Sequence, residues 1–244
     1  LITGASGGIG KALVGHLLQE GWRVVASDRP EVGPLPSGPA LRWLPADLAK
    51  LAAGGAPLET FANGVRDATQ GVPLNAIVHN AALQRLGSFS DLTLADWQDT
   101  LAVNLIAPVA LSRCLLPELI ASHGTIVHIS SIHSQLTKEG FSAYATSKAA
   151  LSGLTRALSV EIGSRVRVNA IEPAAIRTPM LEGGFTDHPE QLEQLEAFHP
   201  TGFIGSPLDV ARAVSYLIDP VNNFLNGCVL QLGGGIHNRL HDPG

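Results

Sequence analysis

Residues 1–10 read LITGASGGIG, an apolar strand end that runs directly into a glycine-rich loop. The residues that follow, 9–20, show helical spacing of their leucines, and Gly21 stands where a left-handed helix end belongs. A glycine-rich loop between a strand and an amphipathic helix allows a tight turn and a close backbone approach to a pyrophosphate, and the helix N-terminus favours the phosphates. The loop residues predicted to bind a dinucleotide are Gly4, Ser6, Gly8, Ile9 and Gly10.

The remainder of the chain alternates short apolar runs with helical patterns, which is typical of a parallel sheet covered by helices. Further helices are predicted at 93–121, with Thr93 and Asp96 in capping-box spacing, at 143–163, and from Ser206 to about residue 218. Pro108 should kink or break the first of these. The apolar runs predicted as strands are residues 1–3, 23–27, 41–46, 75–80, 124–130, 165–171 and 228–232. The sequence therefore predicts an α/β fold, a single doubly wound Rossmann-type domain over residues 1–244 with a central parallel sheet of about seven strands flanked by helices.

The composition excludes several other classes of protein. The chain has 244 residues, of which 45% are hydrophobic and 15% charged, and its formal charge is −5. One of its two longest stretches without a charged residue, 220–238, contains four Asn and four Gly, so we expect no membrane span. The negative charge argues against nucleic acid as a main partner. The chain opens on Leu1 rather than Met and shows no signal-peptide pattern, so we expect native residues before Leu1.

The spacing of cysteine and histidine gives no metal site. Cys114 and Cys228 lie in apolar contexts, and we predict both as buried, reduced thiols of a cytoplasmic protein. His237 and His241 stand four residues apart, but no third ligand accompanies them. We therefore predict that the protein binds no metal.

An acidic residue ends the second predicted strand. Asp28 follows Gly10 by eighteen residues, where a carboxylate can accept hydrogen bonds from both ribose hydroxyls of an adenosine. The same carboxylate would repel a 2′-phosphate, and residues 3–10 of the glycine-rich loop include no Lys or Arg, so NAD is the preferred cofactor. Arg29 follows directly and could pair with a 2′-phosphate, which keeps NADP as the alternative.

Four polar residues have the chemistry of a proton-transfer site. Tyr144 and Lys148 stand four apart on a predicted helix and share one face, where the lysine would favour the tyrosine phenolate. Ser131 follows a predicted strand whose end opens into the ligand crevice, and its hydroxyl could hold a carbonyl or alcohol oxygen. Asn104 lies among apolar residues of the helix at 93–121 and needs a polar partner there.

Taken in sequence order, Asn104, Ser131, Tyr144 and Lys148 follow a phosphate-binding loop and resemble the catalytic tetrad of the short-chain dehydrogenase/reductase family. The resemblance covers essentially the whole chain. It implies reversible hydride transfer between nicotinamide and a carbinol or carbonyl carbon, with Tyr144 as general acid/base and Ser131 polarising the substrate oxygen. Lys148 would bind the nicotinamide ribose and pass protons toward a water held through Asn104. The resemblance also implies cofactor contacts by Asp47, Leu48, Asn80, Ala81, Pro173, Ile176 and Thr178, besides Tyr144 and Lys148. Departures from the family's pattern are His79, Ala82 and Ala174.

The family resemblance also implies a substrate lid between the sixth strand and the next helix, at about 179–206. Residues 178–211 contain six acids and no Lys or Arg, so we predict a neutral secondary alcohol or ketone as substrate rather than an anionic thioester. Arg85 or Arg177 could supply a cation from outside the lid, and the acids of 191–198 could equally form a solvated helix face. His133 could face the substrate, but we interpret it as a loop histidine.

Two other functions stay open. One is an NADPH-dependent carbonyl reductase that uses Arg29, and the other is a non-catalytic nucleotide sensor. The sensor is disfavoured because such proteins usually lose the Tyr or the Lys, and both stand here. The family resemblance further implies a homo-oligomer, a tetramer or a dimer, built through the helices at 93–121 and 143–163.

Overall fold

Seven parallel strands form the central sheet in the computed structural model, which describes residues 1–35 and 38–240. The strands are β1 Ile2–Thr3, β2 Val24–Ser27, β3 Leu41–Trp43, β4 Ala76–His79, β5 Thr125–Ile129, β6 Arg167–Pro173 and β7 Val229–Leu232. Their order is β3-β2-β1-β4-β5-β6-β7, and every neighbouring pair is parallel. From β1 the chain first adds strands on one side, β2 and β3, and then returns to add β4 to β7 on the other side. This reversal between β1 and β4 is the arrangement of a doubly wound Rossmann-type sheet. The predicted fold class is confirmed.

Helices connect the strands and lie on both faces of the sheet. They are α1 Gly8–Gln19, α2 Leu48–Ala52, α3 Gly55–Thr69, α4 Leu94–Leu101, α5 Ala107–Cys114, α6 Leu116–Ala121, α7 Ser142–Glu161, α8 Pro179–Gly183, α9 Pro189–Phe198 and α10 Pro207–Ile218. Thr93 with Asp96 forms a capping box at the start of α4, as predicted, and Ser206 with Asp209 forms one at the start of α10. Gly21, with φ of 86°, follows α1 in the left-handed conformation.

The strand side chains alternate between two apolar cores, one on each face. Val24 and Ala26 of β2 pack in the core that contains α1 and α10, whereas Val25 packs in the core that contains α3 and α5. A parallel sheet covered on both faces needs apolar residues at nearly every strand position. This accounts for much of the high hydrophobic and low charged content of the chain.

The helix predicted at 93–121 is not continuous, and the break expected at Pro108 lies just before that residue. α4 ends at Leu101, a π-helical turn spans Ala102–Ile106, and α5 begins at Ala107. Pro108 lies in the first turn of α5, where a missing N–H is tolerated, so the interruption lies on its N-terminal side. A second interruption precedes α6, because Pro117 occupies the first turn of that helix.

Other expectations about local structure also need correction. The sequence predicts only loops between β3 and β4, yet α2 and α3 form there, and α3 buries Phe61, Ala62 and Val65. Cys114 and Cys228, predicted as buried, are unpaired but partly exposed. The boundaries of β3 and β6 differ from prediction by two or three residues.

In the two described ranges, 1–35 and 38–240, no helix has the length and apolar character to cross a membrane. The same ranges contain no group of three or more metal-ligating side chains. His241 and the predicted end of the domain at residue 244 lie outside the described residues.

Candidate active site

The carboxyl ends of β1 and β4 meet where the strand order reverses, and the glycine-rich loop lies there. Thr3 Oγ1 accepts hydrogen bonds from the backbone N–H groups of Asn80 and Ala81, both at 3.2 Å. Asn80 Nδ2 donates to the carbonyls of Thr3 and Gly4 at 3.1 and 3.0 Å. These bonds fix the loop after β1 against the segment after β4, at the position where doubly wound sheets bind their ligands.

Three glycines of this loop are required by close contacts. A Cβ on Gly4, whose φ is 65°, would lie 2.7 Å from the Cα of Ala81, and a Cβ on Gly10 would lie 2.0 Å from the Gly4 carbonyl oxygen. A Cβ on Gly8 would lie 2.8 Å from Thr178 Cγ2. The glycines therefore let the loop fold on itself, and Gly8 brings the start of α1 against the beginning of the predicted lid.

The start of α1 has the features of an anion site. Its N-cap Gly7 makes no side-chain hydrogen bond, so the first-turn N–H groups around Gly8 and Ile9 have no capping side chain. Ser6 Oγ is buried and has no hydrogen-bond partner among the described residues. A buried hydroxyl without a partner beside a helix N-terminus fits the phosphates of a dinucleotide.

Asp28 follows β2 and lies against the glycine-rich loop. Its Oδ2 accepts from the Ser6 N–H at 2.9 Å, and its Oδ1 accepts from the Arg29 N–H at 2.8 Å. Each carboxylate oxygen has a second lone pair, so the side chain can still accept hydrogen bonds from ribose hydroxyls. Arg29 itself is exposed.

The two residues assigned by resemblance to the adenine pocket have structural partners. Asp47 caps α2, because its Oδ1 accepts from the Ala49 N–H at 3.0 Å. Leu48 packs its side chain into one of the two cores. A contact with an adenine base would therefore use the other carboxylate oxygen of Asp47 or the backbone of this segment.

Tyr144, Lys148 and Ser131 come together at the carboxyl end of β5. Lys148 Nζ lies 5.6 Å from the centroid of the Tyr144 ring and donates to the Ile129 carbonyl at 2.7 Å. The Ser131 side chain lies close enough to the Tyr144 hydroxyl to act on its pKa. Because Lys148 is only 2% exposed, burial lowers the pKa of its ammonium to about 7.

Two influences on the pKa of Tyr144 oppose each other. Burial raises it, and the nearby Ser131 side chain acts in the opposite direction. Burial also lowers the pKa of Lys148 to about 7, so its amine carries only part of a charge near neutral pH. That Lys148 favours the Tyr144 phenolate stays a prediction.

Asn104 lies in the π-helical turn and joins three parts of the site. Its Oδ1 accepts from the Leu83 N–H at 2.7 Å, and its Nδ2 donates to the Leu83 carbonyl and to Ser147 Oγ, both at 2.9 Å. Ser147 Oγ in turn donates to the Tyr144 carbonyl at 2.7 Å. The side chain therefore has the backbone partner that its apolar surroundings require, and it links the turn to α7.

The backbone carbonyl of Asn104 accepts no α-helical hydrogen bond, because Pro108 stands four residues later and has no N–H. The π-helical turn and Pro108 together interrupt the regular α-helical hydrogen bonding at this point.

The segment after β6 leads into the predicted lid. Pro173 is the last residue of β6, and Ile176 is buried and forms a short parallel bridge with Gly205. Thr178 caps α8, since its Oγ1 accepts from the Leu181 N–H at 3.2 Å. The structure thus places Thr178 beside Gly8, at the junction of the glycine-rich loop and the lid helices α8 and α9.

Arg85 and Arg177, the two arginines expected to reach a substrate from outside the lid, are paired with carboxylates. Arg177 contacts Glu196 and lies 3.5 Å from Glu182, so it joins α9 to α8. Arg85 Nε lies 3.7 Å from Asp96. Neither is a free cation for an anionic substrate.

His133, interpreted from sequence as a loop histidine, lies beside the reacting residues. The centroid of its ring is 5.8 Å from that of Tyr144. The signal available in the sequence is its position two residues after Ser131, on the same loop.

Glu172 is a further residue that sequence reasoning did not assign to the site. It is fully buried and accepts hydrogen bonds from Gln135 Nε2 at 2.6 Å, from Ser152 Oγ at 2.7 Å, and from the Ser134 hydroxyl. These bonds join the loop that carries Ser131 to α7. An acid inside an apolar strand pattern is the signal that could have indicated it.

The fold and site together define a dinucleotide-binding protein of the Rossmann class. The chain matches over residues 4–237 a protein-family model described as Enoyl-(Acyl carrier protein) reductase. An uncharacterized oxidoreductase of Schizosaccharomyces pombe is 34% identical, covering 97% of this chain and 89% of its own length. The 3-oxoacyl-(acyl-carrier-protein) reductase of Vibrio cholerae is 29% identical, covering 97% and 96%.

Solved structures agree with these matches. The aldohexose dehydrogenase of Thermoplasma acidophilum superposes with a TM-score of 0.90 at 26% identity, covering 100% of this chain and 95% of its own. An assigned NAD(P)-dependent gluconate 5-dehydrogenase of Beutenbergia cavernae, solved with NADP, superposes with a TM-score of 0.83 at 29% identity, covering 98% and 96%. The chain belongs to the short-chain dehydrogenase/reductase family, a family of oxidoreductases that bind a nicotinamide dinucleotide.

Proposed function

We propose that the protein transfers a hydride between NAD(H) and a neutral secondary alcohol or ketone, with Tyr144 as the general acid/base. The observation that carries this proposal is the meeting of Tyr144, Ser131 and Lys148 at the carboxyl end of β5, next to the glycine-rich loop. Nicotinamide dinucleotide, when bound, supplies or accepts the hydride.

The side chains divide the remaining work between them. Tyr144 Oη gives a proton to the substrate oxygen or takes one from it, while Ser131 Oγ holds that oxygen by a hydrogen bond. Lys148 Nζ uses one of its three donors on the Ile129 carbonyl and has two left for the ribose of the cofactor. A lysine with a pKa of about 7 can release and take up a proton near neutral pH, and the Asn104 carbonyl, which has no α-helical donor, would hold a bridging water.

NAD is our preferred cofactor because Asp28, not a cation, lies against the loop where the adenosine ribose would bind. Its carboxylate is held there by the Ser6 N–H at 2.9 Å. The alternative, an NADPH-dependent carbonyl reductase, is supported by the exposed Arg29 and by the similar structure that holds NADP. Measuring turnover against NAD(H) and NADP(H) separates the two, since a carboxylate at the ribose disfavours a 2′-phosphate.

A neutral substrate is supported by the pairing of Arg85 and Arg177 with carboxylates and by the acidic lid. The aldohexose dehydrogenase among the similar structures acts, by its name, on an uncharged polyhydroxy compound. The relative from Vibrio cholerae is named for an acyl-carrier-protein substrate, which would favour a thioester instead. Comparing neutral alcohols with acyl thioesters as substrates decides between these classes.

The proposal is tested by comparing Tyr144→Phe with the wild type on a panel of neutral secondary alcohols with NAD. Loss of the hydroxyl should lower kcat by about 10²- to 10⁴-fold while NADH binding is retained, because general acid/base catalysis contributes that much. Tyr216→Phe, at an exposed position on α10, is the matched control. Near-full turnover by Tyr144→Phe would contradict the mechanism, and cofactor binding without any wild-type turnover would favour the nucleotide sensor.

We also propose that the protein is a cytoplasmic homo-oligomer, a tetramer or dimer, with a small-molecule substrate and no nucleic-acid or membrane partner. Apolar side chains exposed on the helices expected at the interface support this, such as Leu94 at 81% and Val160 at 87%. The unpaired Cys114 and Cys228 fit a reducing compartment. Light scattering of the purified protein tests the oligomeric state, and fractionation of the source cells tests the location.

A further inference from the structure

His133 is held in one orientation beside Tyr144. Its ring stacks on Phe141 with centroids 4.3 Å apart and planes 3° apart, and it stands edge-on to Tyr144 at 5.8 Å. Its backbone N–H donates to Ser131 Oγ at 3.2 Å, within the 3₁₀ turn Ile132–Ser134. The ring is therefore fixed relative to the hydroxyls that would hold the substrate oxygen.

The two ring nitrogens of His133 have different surroundings. Nδ1 lies 3.0 Å from Thr137 Oγ1 and forms a hydrogen bond with it. Nε2 has no hydrogen-bond partner among the described residues, and it is not one of the buried unpaired atoms there. An oriented imidazole, with its ring centroid 5.8 Å from that of Tyr144, thus keeps one nitrogen without a protein partner among the described residues.

We propose that His133 Nε2 hydrogen-bonds a second hydroxyl of the substrate, on the carbon next to the reacting carbinol. The substrates would then be neutral vicinal diols and the α-hydroxyketones formed from them. This inference rests on the proposed function, because it needs Tyr144 and Ser131 to hold the first oxygen.

Chemistry favours a hydroxyl over other groups at Nε2. A hydroxyl both donates and accepts, so it satisfies Nε2 whichever nitrogen of the neutral ring carries the proton, whereas a carbonyl oxygen can only accept. Burial, together with the nearby Lys138 ammonium, lowers the pKa of His133, so the ring is neutral near pH 7. A neutral ring does not call for an anionic partner, in agreement with the paired state of Arg85 and Arg177.

The experiment compares matched substrates with NAD: 2,3-butanediol against 2-butanol, and 1,2-cyclohexanediol against cyclohexanol. The enzymes are the wild type, His133→Phe, which keeps an aromatic ring but no nitrogen, and His133→Gln, which keeps a hydrogen-bonding end. His123→Asn is the control, because His123 is exposed in the loop before β5, at the amino end of that strand, and Asn tolerates its φ of 50°. Diol affinity is also measured by calorimetry with NAD on Tyr144→Phe and on Tyr144→Phe/His133→Phe.

We expect the wild type to prefer each diol by about tenfold or more in kcat/KM. In His133→Phe, kcat/KM should fall about tenfold on diols and stay within about twofold of the wild type on mono-alcohols. His133→Gln should recover part of this loss. The double variant should bind the diol about tenfold more weakly than Tyr144→Phe. Unchanged NADH binding and thermal unfolding show that the variants fold.

The opposite results separate the two proposals. Two results would overturn the role of His133 alone. One is an equal loss of kcat/KM on diols and mono-alcohols in His133→Phe. The other is a wild type that shows no preference for diols although its turnover still needs Tyr144. Turnover of neither class by the wild type, or turnover that survives Tyr144→Phe, overturns the proposed function and this inference with it.

Discussion

Replacing the buried histidines His79 and His128 should flatten the dependence of stability on pH. Their rings stack with centroids 5.3 Å apart on the neighbouring strands β4 and β5. His79 Nε2 bonds Ser112 Oγ at 2.9 Å and His128 Nδ1 bonds Thr155 Oγ1 at 2.8 Å, while the other nitrogen of each ring is buried without a partner among the described residues. Burial lowers the pKa of His79 well below 6.5 and that of His128 to about 3.

The sign and size of the effect follow from these pKa values. Both rings are neutral in the folded protein, and in the unfolded chain each takes up a proton below about pH 6.5. The free energy of unfolding therefore falls as the pH drops, by about 1.4 kcal/mol per pH unit for each histidine, between about pH 6.5 and the folded pKa. At about pH 5 this is a loss of about 2 kcal/mol per histidine, or about 4 kcal/mol for the pair.

The assay is urea unfolding followed by tryptophan fluorescence at about pH 7.5 and about pH 5. Comparing the wild type with His79→Asn, His128→Asn and the double variant cancels the contribution of the acidic groups that they share. Each single variant should reduce the difference between the two pH values by about 2 kcal/mol, whereas His123→Asn, at an exposed position, should leave it unchanged. A double variant whose pH difference stays within about 1 kcal/mol of the wild type would refute the reasoning.

Two further substitutions test the site. Lys148→Met should raise the free energy of unfolding at pH 7 by about 1–2 kcal/mol while turnover is lost. Burial lowers the pKa of the ammonium to about 7, which shows that the fold disfavours its charge, and Met removes that cost. A lower free energy of unfolding in a urea titration would speak against this. Gly10→Ala should cost about 1–3 kcal/mol and weaken NADH binding, since the new Cβ would lie 2.0 Å from the Gly4 carbonyl. Its control is Gly15→Ala, which has open space around the new Cβ and should be neutral or slightly stabilising. Equal effects of the two substitutions on the free energy of unfolding and on cofactor fluorescence would contradict the account.

Local signals made much of the fold predictable. The glycine-rich loop, the capping boxes at Thr93 and Ser206, and the apolar strand runs each depend on neighbours within a few residues. The helix α3 was missed because Gly54, Gly55 and Pro57 at its start are typical of a loop, and only packing of its Phe61 stripe makes it a helix.

The contacts that position the site could not be predicted in this way. Glu172 finds its partners 20 to 38 residues away in sequence, and the role of Asn104 as a link to Leu83 depends on the π-helical turn. The pKa values of Tyr144 and Lys148 each depend on how deeply the folded chain buries that residue, which their spacing of four on a helix does not reveal. Long-range burial and pairing, rather than local propensity, decide these features.

The most direct test of the central claim follows the hydride itself. A vicinal diol carrying deuterium on its carbinol carbons is incubated with NAD and the wild type or Tyr144→Phe, and the reduced cofactor is examined by mass spectrometry. The account predicts one deuterium in each NADH formed by the wild type and almost no labelled NADH with Tyr144→Phe. Deuterium released to water instead, or equal labelling by the two enzymes, would contradict it.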